Sequence, residues 1–176
     1  MSTSANALYG SPKAEISVIL PVLNEEKYLE DAVNAILAQK YDGKLEVILA
    51  VGPSHDKTLE IAQRLHRIDS RIVVVENPTG RTAAGLNLAI AASQYSIIVR
   101  VDGHANIPSN YCQLVSEILE SSGAVNVGGV MAAQGQSLFE RSVALAMRSP
   151  LGVGACLLYT SPSPRDRTRS RMPSSA

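Results

Sequence analysis

Four short stretches hold the residues best suited to chemistry. Residues 99–104 read Val-Arg-Val-Asp-Gly-His. They set a carboxylate, Asp102, at the end of an apolar run and an imidazole, His104, just beyond it. Such a pair offers a cation one oxygen and one nitrogen. That suits Mn²⁺ better than Mg²⁺, which favours all-oxygen shells. The plainer alternative is an Asp turn followed by an exposed His. Residues 21–26, Pro-Val-Leu-Asn-Glu-Glu, put Asn24 and Glu25 directly after another apolar run. A carboxylate at that point also complements the dipole of a following helix. In residues 52–58, Gly-Pro-Ser-His-Asp-Lys-Thr, Ser54 and Asp56 read equally as ligand contacts and as helix caps. Residues 80–87, Gly-Arg-Thr-Ala-Ala-Gly-Leu-Asn, place Arg81 at a helix start, where a cation would favour a bound phosphate. The alternative there is a surface arginine.

The elements that must position these groups alternate regularly. Residues 16–22 (ISVILPV), 45–51 (LEVILAV), 71–76 (RIVVVE) and 96–101 (SIIVRV) are short apolar runs rich in β-branched residues, as in buried parallel strands. Residues 26–39, 56–68, 82–93 and 108–121 carry apolar groups at helical spacing. Residues 124–132 (AVNVGGVMA) read as a fifth strand interrupted by Gly128 and Gly129. Strand–helix alternation with short links predicts an α/β fold with a mainly parallel sheet flanked by helices. In such sheets ligands sit outside the carboxyl ends of the strands. All four candidate stretches fall on that one rim.

Composition narrows the class. The 176 residues hold 16 Lys+Arg and 16 Asp+Glu, which argues against a basic nucleic-acid or polybasic membrane binder. Apolar residues at 45% can build a core, while aromatics at 4%, with no Trp, leave little for a stacking surface. The two Cys cannot form a disulfide framework. No GxxxxGK[ST] or GxGxxG run is present, so P-loop and dinucleotide readings lack support. His66 falls on the polar side of a helix and reads as solvated. His55 lies in the second rim loop without an expected catalytic role, and Cys112 reads as a packed thiol.

The chain also has a seam. The 21 residues from Cys156 to Ala176 hold four Arg, one Asp, three Pro and five Ser. The 155 residues before them carry 12 basic and 15 acidic groups, a net charge of −3. The ordinary reading is a disordered basic tail. Residues 156–166 and 170–176 resemble instead the translation of the two ends of a transposase-type sequencing adapter. The expected organisation is a flexible leader at 1–15, an incomplete α/β domain at 16–155 and a non-native tail at 156–176.

Taken together and in order, the four stretches resemble family 2 glycosyltransferases of the nucleotide-sugar-binding A fold. Their opening is an apolar strand, Pro, two residues, Asn-Glu and an amphipathic helix, as in residues 16–39. Their second segment is Asp-Asp-Gly-Ser-x-Asp-x-Thr; Ser54, Asp56 and Thr58 match it. Val51 and Gly52 replace the leading carboxylates, one of which contacts the base in the family. Their third, Gly-Lys-x-x-Ala-x-Asn, is met with Arg81 for Lys and with Asn87. Their fourth, Asp-x-Asp, becomes Asp102-Gly103-His104, similar to the Asp-Ala-His-Ala form of the succinoglycan-type exopolysaccharide branch.

The resemblance implies a Rossmann-like nucleotide-diphospho-sugar transferase fold. It implies a donor site formed by Pro21, Leu23, Asn24, Glu25, Ser54, Asp56, Arg81, Asn87, Asp102 and Gly103. Asp102 and His104 would hold a divalent cation, Mn²⁺ or Mg²⁺. The donor would be a nucleotide sugar, with a UDP-sugar as first choice, and the acceptor a glycan or lipid-linked glycan. No nucleic-acid partner is expected. An inverting transfer also needs a base. No Asp or Glu lies between Arg141 and Ala155, so that base is expected beyond Ala155 and the chain alone is expected to have negligible turnover. Membrane attachment is expected only through a segment beyond Ala155, with the protein cytoplasmic at the inner face of the plasma membrane. The competing readings are a nucleotidyltransferase-like enzyme, which would release pyrophosphate, and a non-enzymatic α/β interaction module.

Overall fold

Four of the apolar runs form strands. In the computed structural model these are β1 (Ile16–Val22), β2 (Leu45–Val51), β3 (Ile72–Glu76) and β4 (Ile97–Arg100). Helices α1 (Leu29–Leu37), α2 (Thr58–Ile68), α3 (Thr82–Ala92) and α4 (Tyr111–Ser122) follow them in turn. The structure describes residues 13–128, together with 138, 139, 141, 142 and 145. Two units divide the chain, Met1–Val127 and Gly128–Ala176. In the second, Ser142 Oγ donates to the Leu138 carbonyl at 2.9 Å, one helical turn back.

The strands of the first unit are all parallel, in the order β3-β2-β1-β4. Side chains of the central strands β1 and β2 alternate between two covered faces, whereas β4 leaves Ile98 and Arg100 exposed. Val18, Leu20 and Val22 of β1 join Val47, Leu49 and Val51 of β2 in a core with Leu29, Val33 and Ile36 of α1 and with Ala62 and Leu65 of α2. Cys112 of α4 is buried in the same core. Ile19, Ile48 and Ala50 face the other way, against Ala89 of α3. Covering both faces is why these strands read as unbroken apolar runs. Each fully buried Leu or Ile contributes about 1.5–3 kcal/mol over its exposed state.

Small residues bring α3 close to the sheet. A β-carbon on Gly85 would stand 3.4 Å from the Ala50 methyl and 2.8 Å from Asn77 Nδ2. On the other face, α1 and α2 are tied by Arg64, whose guanidinium donates to both Glu30 oxygens at 3.0 and 2.7 Å. That pairing holds the Glu30 carboxyl below its ordinary range.

Several boundaries differ from those read in the sequence. Helix α1 begins at Leu29 rather than residue 26, after a turn in which the Tyr28 and Leu29 N–H groups both donate to the Glu25 carbonyl. Helix α2 begins at Thr58, whose N–H donates to the Asp56 carboxylate two residues before it. Helix α4 begins at Tyr111, after a turn in which the Tyr111 N–H donates to the Pro108 carbonyl. It ends at Gly123, whose φ of 63° suits a glycine. The expected fifth strand is not formed over residues 124–128, where Val125 is fully exposed. The remainder of that segment lies outside the described residues, as do most of the proposed leader and the whole of the proposed tail. Among the described residues, no helix is long and apolar enough to cross a membrane.

Candidate donor-binding site

The strand order reverses direction at β1, which has β2 on one side and β4 on the other. A crevice outside the carboxyl ends of two such strands is the expected ligand position in open α/β sheets. Pro21 ends the β1–β4 ladder at that point. The Val101 N–H donates to the Ile19 carbonyl at 3.1 Å, on the β4 side of β1. The next N–H of β1 on that side would be residue 21, and proline has none. The β1–β4 pairing therefore stops at Ile19 and Arg100. Beyond it the ladder ends, and the two segments run on as residues 23–26 and residues 102–105.

The β1 loop is laced to the β2 loop. Asn24 and Glu25 donate their N–H groups to Ser54 Oγ at 3.1 Å and Thr58 Oγ1 at 2.7 Å. Glu26 donates its N–H to Asp56 Oδ2 at 3.1 Å. In return, the His55 N–H donates to Asn24 Oδ1 at 2.8 Å and the Lys57 N–H to Glu26 Oε2 at 3.1 Å. The side chains of Asn24, Ser54 and Asp56 thus bridge the two loops. Asp56 Oδ1 also accepts from the Thr58 N–H and hydroxyl, at 3.0 and 2.5 Å. The hydrogen bond from the Thr58 side chain is the main reason the Asp56 carboxyl sits below its ordinary range.

Glu25 is released from this lacing at its side chain, which points toward β4. Its Oε1 lies 2.9 Å from His104 Nδ1, although the two residues are 79 apart in sequence. Gly103 makes the approach feasible. A β-carbon there would stand 3.1 Å from both Glu25 Cγ and Val22 Cγ1. Asp102 takes a different partner: its Oδ1 accepts from Arg100 Nε and Nη2 at 3.1 and 2.9 Å. Asp102 lies two residues past Arg100, where β4 ends, within reach of its guanidinium.

The third loop is organised by Asn77, which is buried. Its Nδ2 donates to the Arg81 carbonyl at 3.1 Å and its Oδ1 accepts from Thr79 Oγ1 at 2.9 Å. Gly80, with φ of 63°, turns the chain into α3. The Arg81 side chain is exposed and, among the described residues, has no ion-pair partner. Asn87 is exposed on α3, on the side away from buried Gly85 and Ala89. It is not brought to the rim with the others.

The place of the absent leading carboxylates has a physical explanation. Val51 is buried in the core. A β-carbon on Gly52 would lie 3.0 Å from Leu23 Cδ1 and 3.2 Å from Gly80 Cα. Leu23 and Gly80 close over the position a carboxylate would need.

No group of three or more His, Cys, Asp or Glu that could hold a metal occurs among the described residues. Asp102 and His104 supply at most two ligands, on half-exposed and exposed side chains. Two protein ligands with substrate phosphates and water completing the shell is an ordinary arrangement for cations at phosphate sites. The donor set therefore fits a cation shared with a bound diphosphate rather than a self-sufficient metal centre. Three contributors are not singled out by the sequence: Arg100, Glu26 and Asn77. For Arg100 the i, i+2 spacing to Asp102 is the available signal.

A parallel α/β sheet with its polar loops gathered at one switch point defines a nucleotide-binding class of fold. The model of the family described as Glycosyl transferase family 2 matches residues 17–172, and the chain belongs to that family. The succinoglycan biosynthesis protein ExoA of Rhizobium meliloti (strain 1021) is 33% identical over 141 residues, 78% of this chain and 42% of that protein. The uncharacterized glycosyltransferase EpsJ of Bacillus subtilis (strain 168) is 29% identical over 107 residues, 61% of this chain and 31% of that protein. The chain thus spans less than half the length of either relative. Among solved structures, S. aureus TarS 1-349 superposes with a TM-score of 0.57 at 22% identity, over 68% of this chain and 39% of that one, a likeness of fold. The mannosyltransferase PcManGT from Pyrobaculum calidifontis, in complex with GDP-Man and Mn²⁺, superposes with a TM-score of 0.53 at 26% identity, over 61% of this chain and 32% of that one. The family and the fold are those expected from the four rim segments.

Proposed function

We propose that the rim between β1 and β4 binds the diphosphate of a nucleotide sugar through a shared divalent cation. The protein would use it to transfer the sugar to a glycan or lipid-linked acceptor, in exopolysaccharide assembly. The observation that carries this reading is the convergence of Glu25, Asp102 and His104 at the switch point, from loops on two different strands. Carboxylates at that crevice repel an anionic diphosphate unless a cation lies between them. Asp102 and His104 are the residues to hold it, and a structure similar in fold, PcManGT, is in complex with GDP-Man and Mn²⁺. When bound, a divalent cation neutralises charge developing on the leaving diphosphate. Arg81, at the start of α3, faces no competing carboxylate among the ion pairs described and adds a second positive charge for the phosphates. The lacing of the β1 and β2 loops holds Leu23 and Glu25 in place before a ligand arrives, which limits the ordering cost on binding.

The base-side wall is apolar, formed by Leu23, Gly52 and Gly80, and it offers no carboxylate. A UDP-sugar remains the first donor to test, with GDP-mannose beside it. Ligand-detected NMR with UDP, GDP and UMP tests the reading. Diphosphates should bind more tightly than UMP, and EDTA should remove the difference. Equal binding of UMP and UDP, unaffected by EDTA, would overturn it.

A further inference from the structure

The contact between Glu25 and His104 has a consequence for the cation site. An ionised carboxylate can only accept a hydrogen bond, so the ring nitrogen facing it, Nδ1, must carry the hydrogen. In the neutral ring the lone pair then lies on Nε2. That nitrogen has no hydrogen-bond partner among the described residues, on a side chain that is 63% exposed.

We propose that Glu25 is a positioning residue: it holds the His104 ring through Nδ1, so that Nε2 is the nitrogen presented to a divalent cation beside Asp102. The inference rests on the reading of Asp102 and His104 as cation ligands. Metal-bound histidines commonly donate their second ring N–H to a carboxylate, which fixes tautomer and ring orientation. An ordinary surface pair would do neither, because two mobile side chains in water gain little from meeting. Glu25 is not of that kind. Its side chain is only 18% exposed. Its backbone N–H is tied to Thr58 Oγ1 at 2.7 Å. The missing β-carbon of Gly103 leaves its methylene groups a slot against Val22. The acceptor is thus fixed by β1, α2 and the Asp102–His104 turn together, and the exposed imidazole is oriented by it.

The experiment has two readouts. The first is the tautomer of His104 in ¹⁵N-histidine-labelled protein without metal, assigned with His104→Ala. The wild type should show the Nδ1–H form, and Glu25→Ala should shift the population toward Nε2–H, with Glu25→Gln intermediate. The second is the ratio of UDP affinities measured with Mn²⁺ and with EDTA. This ratio cancels any metal-independent contact between Glu25 and the nucleotide. Glu25→Ala should reduce it about 10–100-fold, as loss of such a supporting carboxylate typically does. An unchanged tautomer in Glu25→Ala overturns the proposal, and so does an unchanged ratio in Glu25→Ala when His104→Ala abolishes the Mn²⁺ gain. If His104→Ala itself leaves the gain intact, the histidine is not a ligand, and the proposal falls together with that part of the functional reading.

Discussion

Glu26 and Asp56 hold each other's loops. The Glu26 N–H donates to Asp56 Oδ2, while the Glu26 carboxylate accepts from the Lys57 N–H next to Asp56, each at 3.1 Å. This exchange ties the exits of β1 and β2 and leaves Glu25 facing the crevice. The Asp56 carboxyl is held below its ordinary value of 3.8, chiefly by the Thr58 hydroxyl. A depressed carboxyl contributes stability above its ordinary pKa and loses it as pH falls through the lowered value. The melting temperature of the wild type should therefore exceed that of Asp56→Asn at neutral pH. The gap should close once pH falls below the ordinary carboxylate range. A gap that stays constant down to low pH would show that the Asp56 charge has no part in the lacing.

Gly103 is expected to be intolerant of the smallest side chain. The added methyl of Gly103→Ala would meet Glu25 and the buried Val22 at 3.1 Å. Val22 is held in the core, so Glu25 must yield. Overpacking of this kind costs about 1–3 kcal/mol. Denaturant unfolding should show a loss in that range, together with weaker UDP binding in Mn²⁺. Wild-type stability and affinity in Gly103→Ala would mean that the approach is looser than described.

A contrasting substitution lies at the opposite ends of the strands. Buried Glu46 accepts from Ser17 Oγ at 2.5 Å and from the Gln94 N–H at 2.7 Å, where the chain enters β4. Glu46→Ala would leave both donors without this acceptor, at about 1–3 kcal/mol for a buried unsatisfied group. The denaturation midpoint should fall while nucleotide affinity of the folded protein stays unchanged. A parallel loss of affinity would show that the two ends of β1 and β4 are coupled.

Cys112 should be unreactive while the protein is folded. Burial pushes its thiol up to about 11, and the thiolate is the reactive form. In a Cys156→Ser background, a disulfide reagent at pH 8 should label Cys112 slowly in buffer and rapidly in denaturant. Fast labelling in buffer would contradict its place in the core under α4.

Much of this was legible in the sequence because the central strands β1 and β2 are covered on both faces. Continuous runs such as LEVILAV leave little choice but a buried parallel strand, and the loops at their ends follow. What was not legible is which polar side chains look inward. Ser54 and Asp56 were read equally as caps and as ligand contacts, and their types and spacing allow both. Only the meeting of the β1 and β2 loops shows them holding backbone N–H groups of residues 24 and 26. The helix starts differ because short turns at Glu25, Asp56 and Pro108 precede the first helical residues, and the helical spacing of apolar groups runs on through those turns. The Glu25–His104 contact spans 79 residues, and no local pattern signals it.

The most direct test of the account is titration calorimetry with UDP, in Mn²⁺ and in EDTA, for the wild type and Asp102→Ala. The account predicts binding that Mn²⁺ strengthens in the wild type and a loss of that strengthening in the variant. Mn²⁺-dependent binding that survives intact in Asp102→Ala would contradict a cation held at the crevice between β1 and β4.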